Sequence, residues 1–391
     1  MIVFAILIAL AWAALAARLF ARLGAFRPLT PVSHPATADA PAVDAIVPAR
    51  DEEREVEGSV ASILAQDYPA LRVTVVDDQS TDATGVILDR LAAAQPPGGP
   101  LRVLHGRDRP EGWVGKTWAL QQGVELATAE WLWFVDGDMV LHPLALASAL
   151  EVARQAGADL VSFLPRADCV TFWQGAVGLT LTQLLAHLYP IDRVNDPKHP
   201  DALAAGGFLL VRREVYDRAG GHEAVRGEII EDIAIARRVK GVGGVLAVRV
   251  APELASTHMY GSLGEIWRGL RKNAYAGMEY QFHKYVVGAI VSLSMAWTPP
   301  LALILGAATH SWGLCLAGGL GWLAQAASTL PFLSFLGLPF GYAFSLPAGI
   351  SLYVAITSSS VWHYHRGRIL WKGRAYAPGD VTAAPSERLR R

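Results

Sequence analysis

Between Val286 and Trp362 the chain carries no Lys, Arg, Asp or Glu. A soluble core of that length would need charged residues on its water-facing side. A bilayer span takes about 20 apolar residues, so the run has room for three, near 286–307, 312–332 and 341–362. Residues 1–17 are also uncharged and are followed by Arg18, Arg22 and Arg27. A signal peptide places its positive charges before the apolar run. Charges after it read as a membrane anchor whose C-terminal end is cytoplasmic. Hydrophobic residues make up 52% of the 391, the mean hydropathy is +0.29 and the formal net charge is -1. Near neutrality argues against nucleic acid as the main partner. The two cysteines, Cys169 and Cys315, are far apart and supply neither a disulfide framework nor a Cys-based zinc site.

These features divide the chain into an anchor at 1–27, a Pro/Ala/Thr-rich linker at 28–42, a charged block at 43–285, membrane segments at 286–362 and a basic tail at 363–391. The expected location is the inner (cytoplasmic) membrane, multi-pass, with the charged block facing the cytoplasm. Three C-terminal spans would leave the tail outside. Yet the tail carries Arg366, Arg368, Lys372 and Arg374, which belong inside. Pro299-Pro300 or Pro331 breaking one segment into a re-entrant piece would reconcile the count with a cytoplasmic tail.

The block at 43–285 alternates strand-like and helix-like runs. Strands are expected at 42–48, 71–76, 101–104 and 131–135, with helices at 52–66, 84–94 and 116–127. Such alternation gives an α/β domain with a parallel sheet, and ligands bind beyond the carboxyl ends of its strands. Each chemistry-bearing motif falls at such an end. Pro48-Ala49-Arg50-Asp51-Glu52-Glu53 follows the first strand; as a bland alternative, acids here complement a helix dipole. Val76-Asp77-Asp78-Gln79-Ser80-Thr81-Asp82 follows the second, either as a helix cap by Ser80 or Asp82 or as a carboxylate for a base N–H or ribose hydroxyl. Asp136-Gly137-Asp138 follows the fourth. Paired carboxylates there suit a hard divalent cation that carries a diphosphate.

Gly115-Lys116-Thr117 is not a phosphate loop, since Pro110 stands where that loop needs a glycine. Lys116 at a helix N-terminus can still face a diphosphate. Gly206-Gly207 opens a run, to Arg213, that reads as a turn and an edge strand. Gly221-His222 leads to a helix bearing Glu231-Asp232, whose bland reading is stabilising acid in a first turn. The sharper reading makes Asp232 a general base for an acceptor hydroxyl. Arg268 and Arg271 supply cations before the membrane, for lipid headgroups or a departing diphosphate. Residues 170–190 form a long apolar run. A crossing there would separate Asp136 from Asp232 across the membrane, so a buried or interfacial helix is expected.

As an ordered set these motifs resemble glycosyltransferase family 2, over roughly residues 42–275. Gly112-Trp113-Val114-Gly115-Lys116, Tyr189-Pro190, Val194-Asn195-Asp196-Pro197 and Gly221-His222-Glu223-Ala224-Val225-Arg226-Gly227 are similar to the hopanoid-biosynthesis-associated glycosyltransferases. The resemblance implies a GT-A nucleotide-sugar-binding domain with N-terminal and C-terminal transmembrane helices, working as an inverting enzyme. It implies a nucleotide-sugar donor, UDP-linked, a lipid acceptor of hopanoid or related isoprenoid type, and Mg2+ or Mn2+. Asp78 would hold the uracil or ribose, and Asp136 would lie near the ribose and diphosphate. Asp138, with Asp136, would hold the metal. Asp232, beside Glu231, would be the base. Pro48, Arg50, Glu53, Lys116, Arg268 and Arg271 complete the expected donor set, and Gly206, Gly207 and His222 mark the acceptor region. Arg268-Gly269-Leu270-Arg271-Lys272 lacks the Gln and Trp of processive relatives, which favours a single transfer. Ile230 replaces the Thr usual before Glu-Asp.

Two other classes fit the residues less well. A transporter or channel subunit would place ionisable residues at membrane depth, and 286–362 has essentially none beyond His310. A metal-dependent nucleotidyltransferase would favour a Gly-rich loop where this chain has Pro48-Ala49-Arg50.

Overall fold

The computed structural model describes residues 1–32, 40–257, 260–367, 369–376 and 381. The chain divides into two compact units. One is helical, made of residues 1–27, 167–190 and 260–363; the other holds residues 28–166, 191–259 and 364–391. The sheet unit thus takes in the basic tail, while the apolar run 170–190 groups with the terminal helices.

The strands, in chain order, are β1 (Val43–Ala49), β2 (Leu71–Asp77), β3 (Leu101–His105), β4 (Trp131–Phe134), β5 (Met139–Leu141), β6 (Leu160–Leu164), β7 (Arg166–Ala167), β8 (Leu209–Arg212), β9 (Leu246–Val250), β10 (Ala255–Thr257), β11 (Ile369–Trp371) and β12 (Arg374–Tyr376). Seven form the main sheet, in the order β3–β2–β1–β4–β8–β6–β9. The first four strands are parallel, as the alternation predicts. The expected edge strand at 209–212 is instead central. It runs antiparallel between β4 and β6, because Leu209, Leu210 and Val211 are all buried and an edge would leave them wet. The sheet is therefore mixed, a common outcome in large α/β sheets.

β1 is a near-continuous buried run, as a strand covered on both faces requires. Its one acid, Asp44, is satisfied by Arg72 at 2.7 Å and by the N–H groups of Thr128 and Ala129 at 2.6 and 2.8 Å. The helix Gly115–Leu126 lies so close to β1 that a Cβ at Gly123 would collide with Ile46. Since β1, β2 and β4 are parallel, their exits share one edge, and Asp51 (φ 49) and Gln79 (φ 57) there adopt left-handed backbone. Non-glycine residues in that region cost energy and cluster at functional sites.

In the helical unit, Ile2–Phe20 and Phe282–Ala308 are long and apolar enough to cross a membrane. The second runs unbroken through Pro299 and Pro300, so the chain does not break where those prolines were expected to break it. The interruption falls later, where Trp312–Ala327 is followed by the short helix Leu330–Phe335 with Pro331 in its first turn. Leu346–His365 is the last helix. Trp12 donates its indole N–H to the Met295 carbonyl at 2.8 Å. Small residues, Gly306 and Gly318, bring Phe282–Ala308 and Trp312–Ala327 into close approach. The helix Phe172–Leu188 starts with a capping box between Thr171 and Gln174. Val177 and Leu179 are buried, while Phe172, Leu185 and Leu188 are exposed.

Candidate active site

Four of the expected groups meet around one ammonium. Lys116, in the first turn of Gly115–Leu126, places its Nζ 2.6 Å from Asp136 Oδ1 and 2.7 Å from Glu231 Oε1. Burial pulls this ammonium down, but Asp136, Glu231 and Asp232 more than reverse that and hold it well above its usual range. Glu231 and Asp232 open the helix Glu231–Gly241, where the N-terminal dipole favours acids. Asp232 Oδ2 accepts from the Gly206 N–H at 2.8 Å. Burial, with the charge of Glu231 beside it, lifts the Asp232 carboxyl to about 7, against the opposing pull of Lys116.

The glycines have steric reasons. A Cβ at Gly206 would stand 2.9 Å from Lys116 Nζ, and one at Gly207 would stand 2.6 Å from Met139 Sδ. His222 is buried against the same cleft, which Lys116, Asp136, Gly206 and Asp232 also line. Its backbone N–H donates to the Tyr216 hydroxyl at 2.9 Å, and that hydroxyl lies 2.7 Å from Nδ1. Burial, helped by Lys116, drives the imidazole down to about 3, so it is neutral at physiological pH.

Asp138 accepts from the Thr257 hydroxyl of β10 at 3.2 Å. Burial and the nearby Asp136 raise its carboxyl above the usual range. Among the described residues no three His, Cys, Asp or Glu side chains gather into a complete metal cage. An Mg2+ site needs only one or two carboxylates, its shell completed by substrate phosphates and water. Asp136 and Asp138 fit such an ion.

The donor-side residues are organised differently than their motifs suggest. Asp78 is 3% exposed; its Oδ2 takes Arg374 Nη1 at 2.5 Å, while its Oδ1 is buried without a hydrogen-bond partner. Burial raises this carboxyl, and Arg374 opposes the rise. Arg50 donates to the carbonyls of Asp78 (2.5 Å), Gln79 (3.0 Å) and Lys372 (3.0 Å), so it ties loops together. Glu53 does likewise: its carboxylate takes the Ala83 N–H at 3.1 Å, and its own N–H donates to Asp82. Asp82 also accepts from the Thr84 N–H at 2.9 Å, but the N-cap position of the helix Thr84–Ala93 is Ala83, without a side-chain cap, and Ser80 Oγ accepts from the Asp51 N–H, so neither residue is the expected cap. Pro48 contributes backbone: its carbonyl would lie 3.3 Å from a Cβ on Gly137. Arg268 and Arg271 lie on the helix Leu263–Ala274 of the helical unit, where Arg271 donates to His363 at 3.3 Å.

Sequence reasoning missed Glu52, Thr257 and the tail residues Lys372, Arg374 and Tyr376. Glu52 lies within Pro48-Ala49-Arg50-Asp51-Glu52-Glu53 and is a local signal. Burial lifts it to about 7 despite its contact with Lys372. The tail residues are some 300 positions from their partners and gave no local signal. The segments 112–116 and 221–227 do meet: the Val114 N–H and the Thr117 hydroxyl both donate to the Arg226 carbonyl at 2.7 Å.

Residues 44–220 match the family model described as Glycosyl transferase family 2. The chain is 28% identical over 197 residues to 4,4'-diaponeurosporenoate glycosyltransferase of Staphylococcus aureus strain MRSA252, covering 50% of each chain, and the same figures hold for strain USA300. The chain spans about half the length of these curated relatives. Mannosyltransferase PcManGT from Pyrobaculum calidifontis, solved in complex with GDP-Man and Mn2+, aligns with TM-score 0.54 at 19% identity, over 92% of this chain and 99% of that one. That likeness speaks to the fold, which is GT-A-like with a Rossmann-like sheet. Residues 44–220 of this chain are thus similar to family 2 glycosyltransferase domains.

Proposed function

We propose that the protein is a membrane-bound inverting glycosyltransferase that moves a sugar from a nucleotide-sugar to a lipid acceptor in a single transfer. The observation that carries this is the Lys116 bridge, which joins Asp136 on the donor side to Glu231, next to Asp232, on the acceptor side. One half-buried cation thus lies between the group expected at the diphosphate and the group expected next to the attacking hydroxyl.

In the proposed reaction the acceptor oxygen bonds to the anomeric carbon as the bond from that carbon to the diphosphate breaks. Asp232 takes the hydroxyl proton, and the nucleoside diphosphate leaves with the bonding electrons. A base must be deprotonated at working pH yet basic enough to accept a proton, and a carboxyl lifted to about 7 meets both demands. The Gly206 N–H orients Asp232. Lys116, at a helix N-terminus, supplies positive charge where the diphosphate accumulates negative charge. Asp138 and Asp136 would hold Mg2+ or Mn2+, which supplies Lewis-acid stabilisation of the leaving group. Neutral His222, held by Tyr216, borders the acceptor side.

The lipid character of the acceptor rests on the outward apolar residues of Phe172–Leu188, on the two helices able to cross a bilayer, and on a relative named for glycosylating 4,4'-diaponeurosporenoate. The finer reading is a hopanoid or related isoprenoid acceptor and a UDP-linked donor, with the sheet unit facing the cytoplasm of a multi-pass inner-membrane protein. The decisive experiment incubates purified protein with membranes and a panel of radiolabelled nucleotide-sugars, then identifies the product by mass. A labelled glycolipid of inverted anomeric configuration is expected. Release of free sugar with no labelled lipid from any donor would sink the reading, and retained configuration would sink the single displacement.

A further inference from the structure

The tail folds back on the sheet unit as a two-stranded hairpin, β11 and β12, turning at Lys372-Gly373. Both turn residues have positive φ, 42 and 75, which suits a tight two-residue hairpin. Three side chains reach Asp78 and Arg50 of the expected donor set and their neighbours Gln79, Glu52 and Gly115. Arg374 donates to Asp78 Oδ2 at 2.5 Å and to Gln79 Oε1 at 2.8 Å. Lys372 pairs with Glu52 and donates to the Arg50 carbonyl at 2.6 Å. The Tyr376 hydroxyl accepts the Gly115 N–H at 3.2 Å, and its ring lies 5.1 Å under the Arg109 guanidinium.

Each contact occupies a place a nucleotide-sugar would need. An N–H on Asp78 is what a base or ribose would offer. An oxygen on the first N–H of Gly115–Leu126 is what a phosphate would offer. With Asp78 at 3% exposure and Tyr376 at 1%, nothing reaches the Asp78 carboxylate while the hairpin is seated. The seating is incomplete, since Asp78 Oδ1 stays buried and unpaired. A buried acceptor without a donor opposes closure, and a lone two-stranded hairpin has little stability of its own.

Resting on the nucleotide-sugar reading above, we propose that the hairpin Ile369–Tyr376 is a built-in competitor of the donor, seated on Asp78, Glu52 and Gly115 until a nucleoside diphosphate binds and expels it. Apparent donor affinity is then the affinity of the open site reduced by the fraction of molecules that are open. The test titrates full-length protein in detergent with UDP and with GDP, each with Mn2+, by calorimetry, and compares it with Arg374→Ser/Lys372→Ser and with a chain ending at Gly367. Both variants should bind the preferred nucleotide about tenfold more tightly, the gain expected where about nine molecules in ten are closed. Unchanged or weaker binding would overturn the hairpin proposal alone, making the hairpin a bystander or a wall of the site. Failure of both nucleotides to bind any form would overturn the donor reading and the proposal with it. Amide hydrogen exchange on the unaltered protein decides the question even where a variant misfolds. Saturating nucleotide should speed exchange across 369–376, and slower exchange there would refute expulsion.

Discussion

Asp232 shows how position rewrites an ordinary residue. A carboxyl on a first helical turn is normally ionised and stabilising. Here burial and Glu231 lift it to about 7. If it is the base, only its deprotonated form works, so turnover should be flat above pH 7 and fall about tenfold per unit below it. Asp232→Asn should lower the rate by about a hundredfold or more with nucleotide affinity little changed, and should abolish that acid limb. A limb that survives in the variant would assign it to another group. Asp138 makes a different prediction. Asp138→Ala should fold, as judged by circular dichroism, and lose turnover that added Mn2+ does not restore. Full activity of that variant with chelator present would remove the metal from the scheme. Both acids were legible as residues, because short polar motifs at strand exits are local. Their protonation was not legible, because it depends on what buries them.

Among elements, the strands and helices up to Phe134 follow their sequence periods closely, since each is one strand or one helix reading its own pattern. β8 does not. Leu209–Arg212 reads as an edge from its flanking glycines, yet it sits between β4 and β6, and only long-range pairing decides that. The helix Phe172–Leu188 keeps an apolar surface on the outside, with Leu188 57% exposed. If that surface meets lipid, Leu188→Arg should depress transfer to a lipid acceptor several-fold while leaving donor hydrolysis near its original rate. A charge on the apolar face costs about 2.5–3.5 kcal/mol only where it is driven into hydrocarbon. Equal loss of both activities would mark the helix as ordinary packing.

For the whole molecule, the long uncharged run becomes four α-helices and one short 3-10 helix, Phe340–Phe344, rather than three spans. The α-helices are Phe282–Ala308, Trp312–Ala327, Leu330–Phe335 and Leu346–His365. Of these, only Phe282–Ala308 joins Ile2–Phe20 in being long and apolar enough to cross a bilayer. The protein is expected to sediment with membranes and to resist extraction by high salt and carbonate, yielding only to detergent. Recovery in the salt wash would contradict spanning helices. A cysteine introduced near residue 95 should label from the cytoplasmic side alone, and labelling from the periplasm would reverse the proposed orientation.

What the sequence determined by itself was chemistry with a short reach. It set the identity and order of the strand-end carboxylates, the α/β alternation that puts them on one edge, and the apolar runs at both ends. These are readable because backbone periodicity and side-chain type act over a few residues. Only the tertiary structure decided which charges meet. It put Lys116 between Asp136 and Glu231, turned Arg50 and Glu53 into loop ties, and seated Arg374 on Asp78 across 296 positions of chain. Those pairings depend on loop closure over long separations and on the loss of water around each charge. Neither leaves a trace in the local pattern.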